Sequence, residues 1–99
     1  MSNYQTVITE DRRLSILIVL KETPAYTTNA FLLRDAVGQI FGHAASVDVV
    51  LGDIAWLAEQ GLVKSSKVGD VTLATATARG IDVAMGMATV PGVKRPMPV

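Results

Sequence analysis

The strongest constraint on the fold is a series of three helical apolar patterns, each of which ends at a proline or a glycine. The patterns end, in order, at Pro24, Gly42 and Gly61. In 99 residues, three such helices must bury their apolar faces against one another, which predicts one small domain. The apolar positions of the three patterns are Leu14, Leu17 and Ile18; Leu32, Leu33, Ala36, Val37 and Ile40; and Val47, Val50, Leu51, Ile54 and Leu57.

A β-hairpin is predicted directly after the third helix. Two β-prone runs, residues 62–66 and 71–76, flank the turn residues 67–70, and a fourth helical pattern follows through Ala88. Between the first two helices, residues 25–27 are predicted to be extended. A helix, a short extended piece, two helices, a hairpin and a helix are the order of a winged helix-turn-helix, mainly α with a small β-hairpin. The predicted helix caps are Thr9, Thr28 or Asn29, Ser46 and Thr77.

The chain divides into a domain and two ends. Residues 1–8 lack a clear period and are predicted to be an N-terminal arm, residues 9–88 form the winged-helix domain, and residues 89–99 form a proline-rich tail. Because the tail is also apolar, it either lies over its own domain, is disordered, or docks on a partner as a stiffened strand.

Composition excludes several classes of protein. The chain is 49% apolar and 18% charged, which is too apolar for a disordered tail, and its nine basic and nine acidic residues cancel, so the whole chain is not a general polyanion binder. It has no cysteine, which excludes disulfides, thiolate metal sites and a cysteine nucleophile. Its apolar runs are too short to cross a membrane.

Two phrases carry a resemblance to known winged helices. The phrase Trp56-Leu57-Ala58-Glu59-Gln60-Gly61-Leu62-Val63 resembles the end of the third helix in many of them, and Thr77-Ala78-Arg79-Gly80 is similar to the T-x-x-G after the wing of MarR, PadR and ArsR regulators. The stretches 80–86 and 90–96 resemble a small family encoded in Mu-like phages and prophages. The resemblance implies a phage protein in the cytoplasm of a bacterial host, and a DNA-binding regulator as its function.

The charges of the third helix argue against ordinary reading of DNA. A helix in the major groove normally carries basic or amide side chains, whereas this helix has no lysine or arginine and contains Asp48, Asp53 and Glu59. At 100° per residue, Asp48 and Glu59 share the exposed face and Asp53 lies to one flank. Two hypotheses therefore remain open, a DNA-binding regulator or accessory protein and a protein-interaction module that does not bind DNA.

The two hypotheses predict different contact residues. Double-stranded DNA would be bound by the wing and by the starts of the second and third helices, through Lys64, Lys67, Arg34 and Ser46. Alternatively, the two lysines only solubilise the edge of the hairpin. The protein hypothesis predicts a homodimer, or contact with a phage or host protein, through Gly52, Met85, Met87, Lys94 and Arg95.

No constellation for catalysis or cofactor binding is present in the sequence. His43 is the only histidine and stands in a predicted turn, and the glycines do not form a phosphate-binding loop. We expect a protein that is not an enzyme and has no catalytic residues, cofactor or metal. Gly52 is unusual because a glycine inside a helix costs about 1 kcal/mol relative to alanine, which suggests that another backbone approaches it closely.

Overall fold

The computed structural model describes residues 3–97, and these residues form four α-helices and one three-stranded antiparallel sheet in a body of 40 × 26 × 24 Å. This architecture confirms the predicted winged helix-turn-helix. The elements are α1 (Tyr4–Glu22), a 3-10 turn (Pro24–Tyr26), β1 (Thr27–Asn29), α2 (Ala30–Phe41), α3 (Val47–Glu59), β2 (Val63–Val68), β3 (Val71–Ala76) and α4 (Ala78–Ala84).

Helix α1 begins earlier than the sequence predicts. Its cap is Asn3, whose Oδ1 accepts a hydrogen bond from the backbone N–H of Thr6 at 2.8 Å, and not Thr9. Residues 4–8 therefore continue the helix, where an irregular arm was expected. They have no apolar period because they extend beyond the core, and the apolar pattern that marks a helix starts only where the helix becomes buried.

The helix-turn-helix unit follows the predicted signals closely. Asn29 caps α2, Gly42 ends it in the left-handed region at φ +75°, and Ser46 caps α3. The piece before α2 differs from the prediction, because residues 24–26 form a 3-10 turn in which Ala25 and Tyr26 both have positive φ.

The wing is the predicted hairpin with a shorter turn. Strand β3 lies between β1 and β2, and Val68 pairs with Val71, which leaves a two-residue turn in which Gly69 has a φ of +60°. All residues of β2 after Val63 are exposed, so the hairpin projects from the domain.

The core surrounds the middle of α1, where Ile16, Leu17 and Leu20 are fully buried. Helix α4 ends at Ala84 and not at Ala88, because the chain turns at Gly86, which has a φ of +78°. The tail then returns to the domain, where Val90 joins the core. In the part of the chain that is described, no helix has both the length and the apolarity needed to cross a membrane.

Candidate functional site

The outward face of α3 is acidic and lined by small residues. Asp48, Gly52, Ala55 and Glu59 are all exposed, on the side opposite the buried Val50, Ile54 and Leu57. The two carboxylates stand about 16 Å apart along the helix axis. Because the helix contains no lysine or arginine, nothing on α3 itself neutralises them.

Asp53, expected on the flank of this acidic face, is buried inside the molecule. It is 4% exposed and forms a two-point ion pair with Arg12 of α1, in which Arg12 Nη2 donates to Asp53 Oδ1 at 3.1 Å and Arg12 Nε donates to Oδ2. Arg13 Nε lies 3.8 Å from Asp53 Oδ1. A helix period places Asp53 at the edge of the apolar stripe, but it does not reveal that two arginines of α1 face it.

Arg13 joins α1 to α3 and to the tail. Its guanidinium lies 3.9 Å from the centroid of the Trp56 ring, and its Nη1 donates a hydrogen bond of 3.0 Å to the carbonyl of Gly92. Trp56 is half-buried and packs against the core. Gly92 has a φ of +97°, and a Cβ there would lie 2.5 Å from Trp56 Cζ2. The tail therefore lies over its own domain as far as residue 94.

Asp11 forms a second ionic cluster on α1. Its Oδ2 lies 2.6 Å from Nε2 of His43 in the turn between α2 and α3, and its Oδ1 lies 3.3 Å from Nζ of Lys94 in the tail. Burial by itself raises the pKa of Asp11, but the hydrogen bonds and positive charges of His43 and Lys94 outweigh it and hold the pKa below the usual value. His43, expected as an ordinary turn residue, ties the helix-turn-helix unit to α1.

The four residues predicted to contact DNA lie in different surroundings. Lys64 and Lys67 are exposed on the wing, and within residues 3–97 no carboxylate lies within 4.0 Å of either. Arg34 pairs with the adjacent Asp35 at 3.0 Å. The Ser46 hydroxyl caps α3 by accepting a hydrogen bond from the N–H of Val49 at 3.2 Å. Of these four residues, the two lysines are the ones whose side chains have no ionic partner or capping role within residues 3–97.

The predicted interface residues also separate into groups. Gly52 is exposed and, apart from the neighbouring backbone of its own helix, no atom lies within 4 Å of a Cβ built on it, so the expectation that another backbone approaches it closely is wrong within this domain. Met85 and Met87 are 51% and 76% exposed beyond the end of α4. Lys94 and Arg95 are both exposed, and Lys94 forms an ion pair with Asp11.

Sequence reasoning missed an apolar surface on α2. Phe31, Leu32 and Ile40 are 47%, 57% and 70% exposed, although the helical pattern assigned Leu32 and Ile40 to the core. The buried positions of this helix are Ala30, Leu33 and Val37. The apolar stripe of this helix is wide, and the sequence pattern does not tell which edge of the stripe meets the core. Residues at the exposed edge are therefore wrongly assigned to the core.

Among residues 3–97, no group of three or more side chains able to hold a metal ion converges. The site candidates are therefore surfaces: the acidic face of α3, the apolar edge of α2, the basic wing, and the ends of α1 and the tail.

Comparison with known proteins identifies the family to which this chain belongs. No family model matches the chain. It is 47% identical over 92 residues to the uncharacterized protein gp26 of Escherichia phage Mu, which covers 93% of this chain and 94% of the relative. An uncharacterized protein of Haemophilus influenzae is 35% identical over 68 residues, or 69% of this chain and 65% of that protein.

A solved structure described as the complex structure of hsRosR-S4 has a similar fold. It superposes with a TM-score of 0.65 over 74% of this chain and 62% of its own, at 19% sequence identity, a level that supports the fold alone. The match to gp26 extends over nearly both chains and confirms the expected relation to Mu phage proteins. This chain belongs to the family of the phage Mu protein gp26.

Proposed function

We propose that this protein is a non-enzymatic accessory protein of Mu-like phages that acts in the cytoplasm of the bacterial host by binding another protein through its helix-turn-helix unit. The observation that carries the proposal is the outward face of α3, which presents Asp48 and Glu59 around Gly52 and Ala55 with no cation. A second support is the exposed apolar edge of α2, since exposed apolar surface commonly marks protein contacts.

Two half-buried arginines of α1 strengthen the argument against DNA reading by α3. Arg12 and Arg13 both pair with Asp53 of this helix, and Arg13 also lies over the Trp56 ring. Freeing either arginine for a phosphate would leave Asp53 buried with less compensation, which is costly. In the major groove, Asp48 and Glu59 would approach phosphates that repel them.

A DNA-binding regulator of the ArsR or MarR kind is the second candidate function. The observation in its favour is the wing, whose Lys64 and Lys67 are exposed and form no ion pair within the described residues. Two phosphate contacts correspond to a salt slope of only about −1.8 in log K against log[salt], so such binding would be weak and would not distinguish sequences.

A binding series on duplex DNA at increasing salt separates the two functions. We expect weak binding at low salt that Lys64→Ala/Lys67→Ala abolishes and that is lost at about 0.15 M salt. The matched variant Asp48→Asn/Glu59→Gln tests α3, because removing the two negative charges raises affinity only if this face approaches the phosphates. Sequence-specific binding at about 0.15 M salt would contradict the proposal and favour the regulator.

Site-directed crosslinking tests the protein contact. The chain has no cysteine, so Gly52→Cys carries a photoreactive maleimide at one defined point of the α3 face. Ser66→Cys places the same probe on the wing as a control. Under expression with the other proteins of a Mu-like phage, we expect position 52 to crosslink to one protein identified by mass spectrometry and position 66 not to do so. Equal labelling from both positions would argue against a site on α3.

We also propose that the protein acts as a homodimer. The support is the set of exposed apolar side chains outside the helix-turn-helix unit, which includes Met85, Met87 and Met97. Mass determination by light scattering over a range of concentrations tests this, and a monomer mass at the highest concentration would contradict it.

A further inference from the structure

The tail meets the domain through a β-turn of its own. Pro91 and Gly92 are the central residues of this turn, in which the N–H of Val93 donates to the carbonyl of Val90 at 3.2 Å. Gly92 has a φ of +97°, as the third residue of a type II turn requires, and proline suits the position before it. Because these residues all belong to the tail, the turn does not need the rest of the domain to form. We call residues 91–97 the strap.

The turn of the strap covers a tryptophan and an arginine that stack on each other. A Cβ at Gly92 would lie 2.5 Å from Trp56 Cζ2, so the backbone of this glycine rests directly on the ring. The guanidinium of Arg13 lies 3.9 Å from the ring centroid, and its Nη1 donates to the Gly92 carbonyl at 3.0 Å. In the closed strap, part of the ring and one N–H group of the arginine are therefore taken up by the tail.

The contacts that hold the strap on α1 are few and exposed. The N–H of Lys94 donates to the carbonyl of Glu10 at 3.2 Å, and Lys94 Nζ lies 3.3 Å from Asp11 Oδ1, with the two side chains 44% and 33% exposed. Ion pairs with this exposure contribute little stability. Val93 is half-buried against the core, whereas Val90, directly before the strap, is only 6% exposed. A firm anchor followed by few contacts favours local opening without unfolding of the domain.

The strap lies at the border of the outward face of α3. Trp56 follows Gly52 by four residues and precedes Glu59 by three, so it stands about 40° around the helix from the first and about 60° from the second. Tryptophan and arginine are among the residue types enriched at the energetic centres of protein interfaces. The closed strap therefore withholds one residue of each type, Trp56 and Arg13, from a partner that binds this face.

We infer that the strap is an autoinhibitory contact, a step that rests on the proposed function of α3 in binding a protein. Closed, the strap covers Trp56 and Arg13, and open, it adds both to the surface that the partner contacts. The partner makes these additional contacts only with the open form, so its binding shifts the population toward that form. The strap lowers the apparent affinity in proportion to the fraction of molecules in which it is closed.

Hydrogen exchange of the full-length protein tests whether the strap opens by itself. After correction for intrinsic rates, the amide of Lys94 should exchange at least about a hundredfold faster than that of Leu17 in α1. Low concentrations of urea should not change the rate at Lys94, because local opening exposes little surface. Equal rates with the same urea dependence would show that the strap opens only when the domain unfolds, which would overturn the inference.

Two variants shift the strap in opposite directions. Lys94→Ala removes the ion pair with Asp11 and should favour the open form, and Arg79→Ala, which removes an exposed positive charge on α4, is the matched control. In Glu10→Cys/Lys94→Cys, the cysteines stand at two positions joined by a backbone hydrogen bond, so oxidation to a disulfide holds the strap closed. Reduction of the same protein provides the control for the closed form.

Photocrosslinking measures the effect of the strap on partner binding. Every form carries Gly52→p-benzoylphenylalanine and is irradiated with the other proteins of a Mu-like phage. The yield of the crosslinked partner should rise at least about threefold for Lys94→Ala over Arg79→Ala, and should fall by a similar factor on oxidation of the cysteine pair.

The outcomes separate the inference from the proposed function. Crosslinking that is equal in the open and closed forms leaves the binding of a protein by α3 standing and overturns the inhibitory role of the strap. A lower yield for Lys94→Ala than for Arg79→Ala also overturns that role, because it shows that Lys94 assists binding. No crosslinked partner in any form, including Lys94→Ala, overturns the proposed function and the inference with it.

Discussion

The two aspartates of α3 have opposite surroundings although they lie only five residues apart. Asp53 is 4% exposed and held by Arg12 and Arg13, whereas Asp48 is exposed and, within residues 3–97, has no cation within 4.0 Å. The inner carboxylate joins α3 to α1 and therefore belongs to the architecture. The carboxylate of Asp48, like that of Glu59, faces solvent and therefore determines which partners the outward face of α3 can bind.

This difference applies to glycines as well. Gly92 lies on the inner side, packed on the Trp56 ring with a positive φ, and Gly52 lies on the outer side with open space around it. A residue type alone therefore does not say whether it serves packing or contact with a partner. Each of the following substitutions compares an inner residue with an outer one.

The largest expected effect is that of Asp53→Ala. Removing this carboxylate leaves two guanidiniums partly buried without their counter-ion, so the free energy of unfolding should fall by about 3–5 kcal/mol. Asp48→Ala, the matched outer variant, removes a favourable charge from the first turn of α3 and should cost less than about 1 kcal/mol. Equilibrium denaturation in urea measures both, and equal losses would show that the inner pair does not stabilise the fold.

Gly92→Ala should have the next largest effect. The new Cβ would lie 2.5 Å from Trp56 Cζ2, and alanine is strained at a φ of +97°, so we expect a loss of about 1–3 kcal/mol. Trp56 is the only tryptophan, so its fluorescence reports directly on release of the tail. We expect a red shift for Gly92→Ala and none for the exposed control Thr89→Ala. Unchanged emission and stability in Gly92→Ala would mean that the tail does not pack on the ring.

Gly52→Ala should stabilise the protein slightly. The position is exposed and open, so alanine should add up to about 1 kcal/mol through its higher helix propensity. The same variant should leave the mass in solution unchanged, because the exposed methionines that support the proposed homodimer lie outside α3. A loss of stability, or a changed mass, would restore the hypothesis that a second backbone approaches α3 here.

Much of the fold follows from local signals in the sequence. Where the structure departs from the predicted elements, the departure has a physical cause. Capping residues and glycines with positive φ gave the limits of α2 and α3, because those signals act within a few residues. The pairing of Arg12 with Asp53 was not predictable, since it joins residues 41 positions apart. The start of α1 was missed because an exposed helix end leaves no apolar period.

The candidate site is predictable only in part, for the same reason. The absence of cations on α3 can be read directly from the sequence, and so can the lysines of the wing. The path of the tail cannot, because it depends on the approach of Pro96 to Gly86 and of Lys94 to Glu10. The roles of the predicted DNA and interface residues stay predictions.

The smallest expected effect concerns acid stability and the inner carboxylate Asp11. Its pKa is lowered in the folded protein, so its contribution to stability is present above the unfolded-state value of about 3.9 and is lost as the pH falls through the lower folded value. Asp11→Asn removes this contribution, so unfolding between neutral pH and acid should depend less on pH below about 4 than in the wild type. The outer control Asp48→Asn removes a carboxylate that has no cation within 4.0 Å in the described residues, so it should change this dependence less than Asp11→Asn does. Circular dichroism melts over this range measure the difference, and parallel curves for Asp11→Asn and wild type would show that the contacts with His43 and Lys94 do not stabilise the ionised carboxylate. The comparison then distinguishes a carboxylate that holds the helix-turn-helix unit and the tail on α1 from one that only faces the solvent.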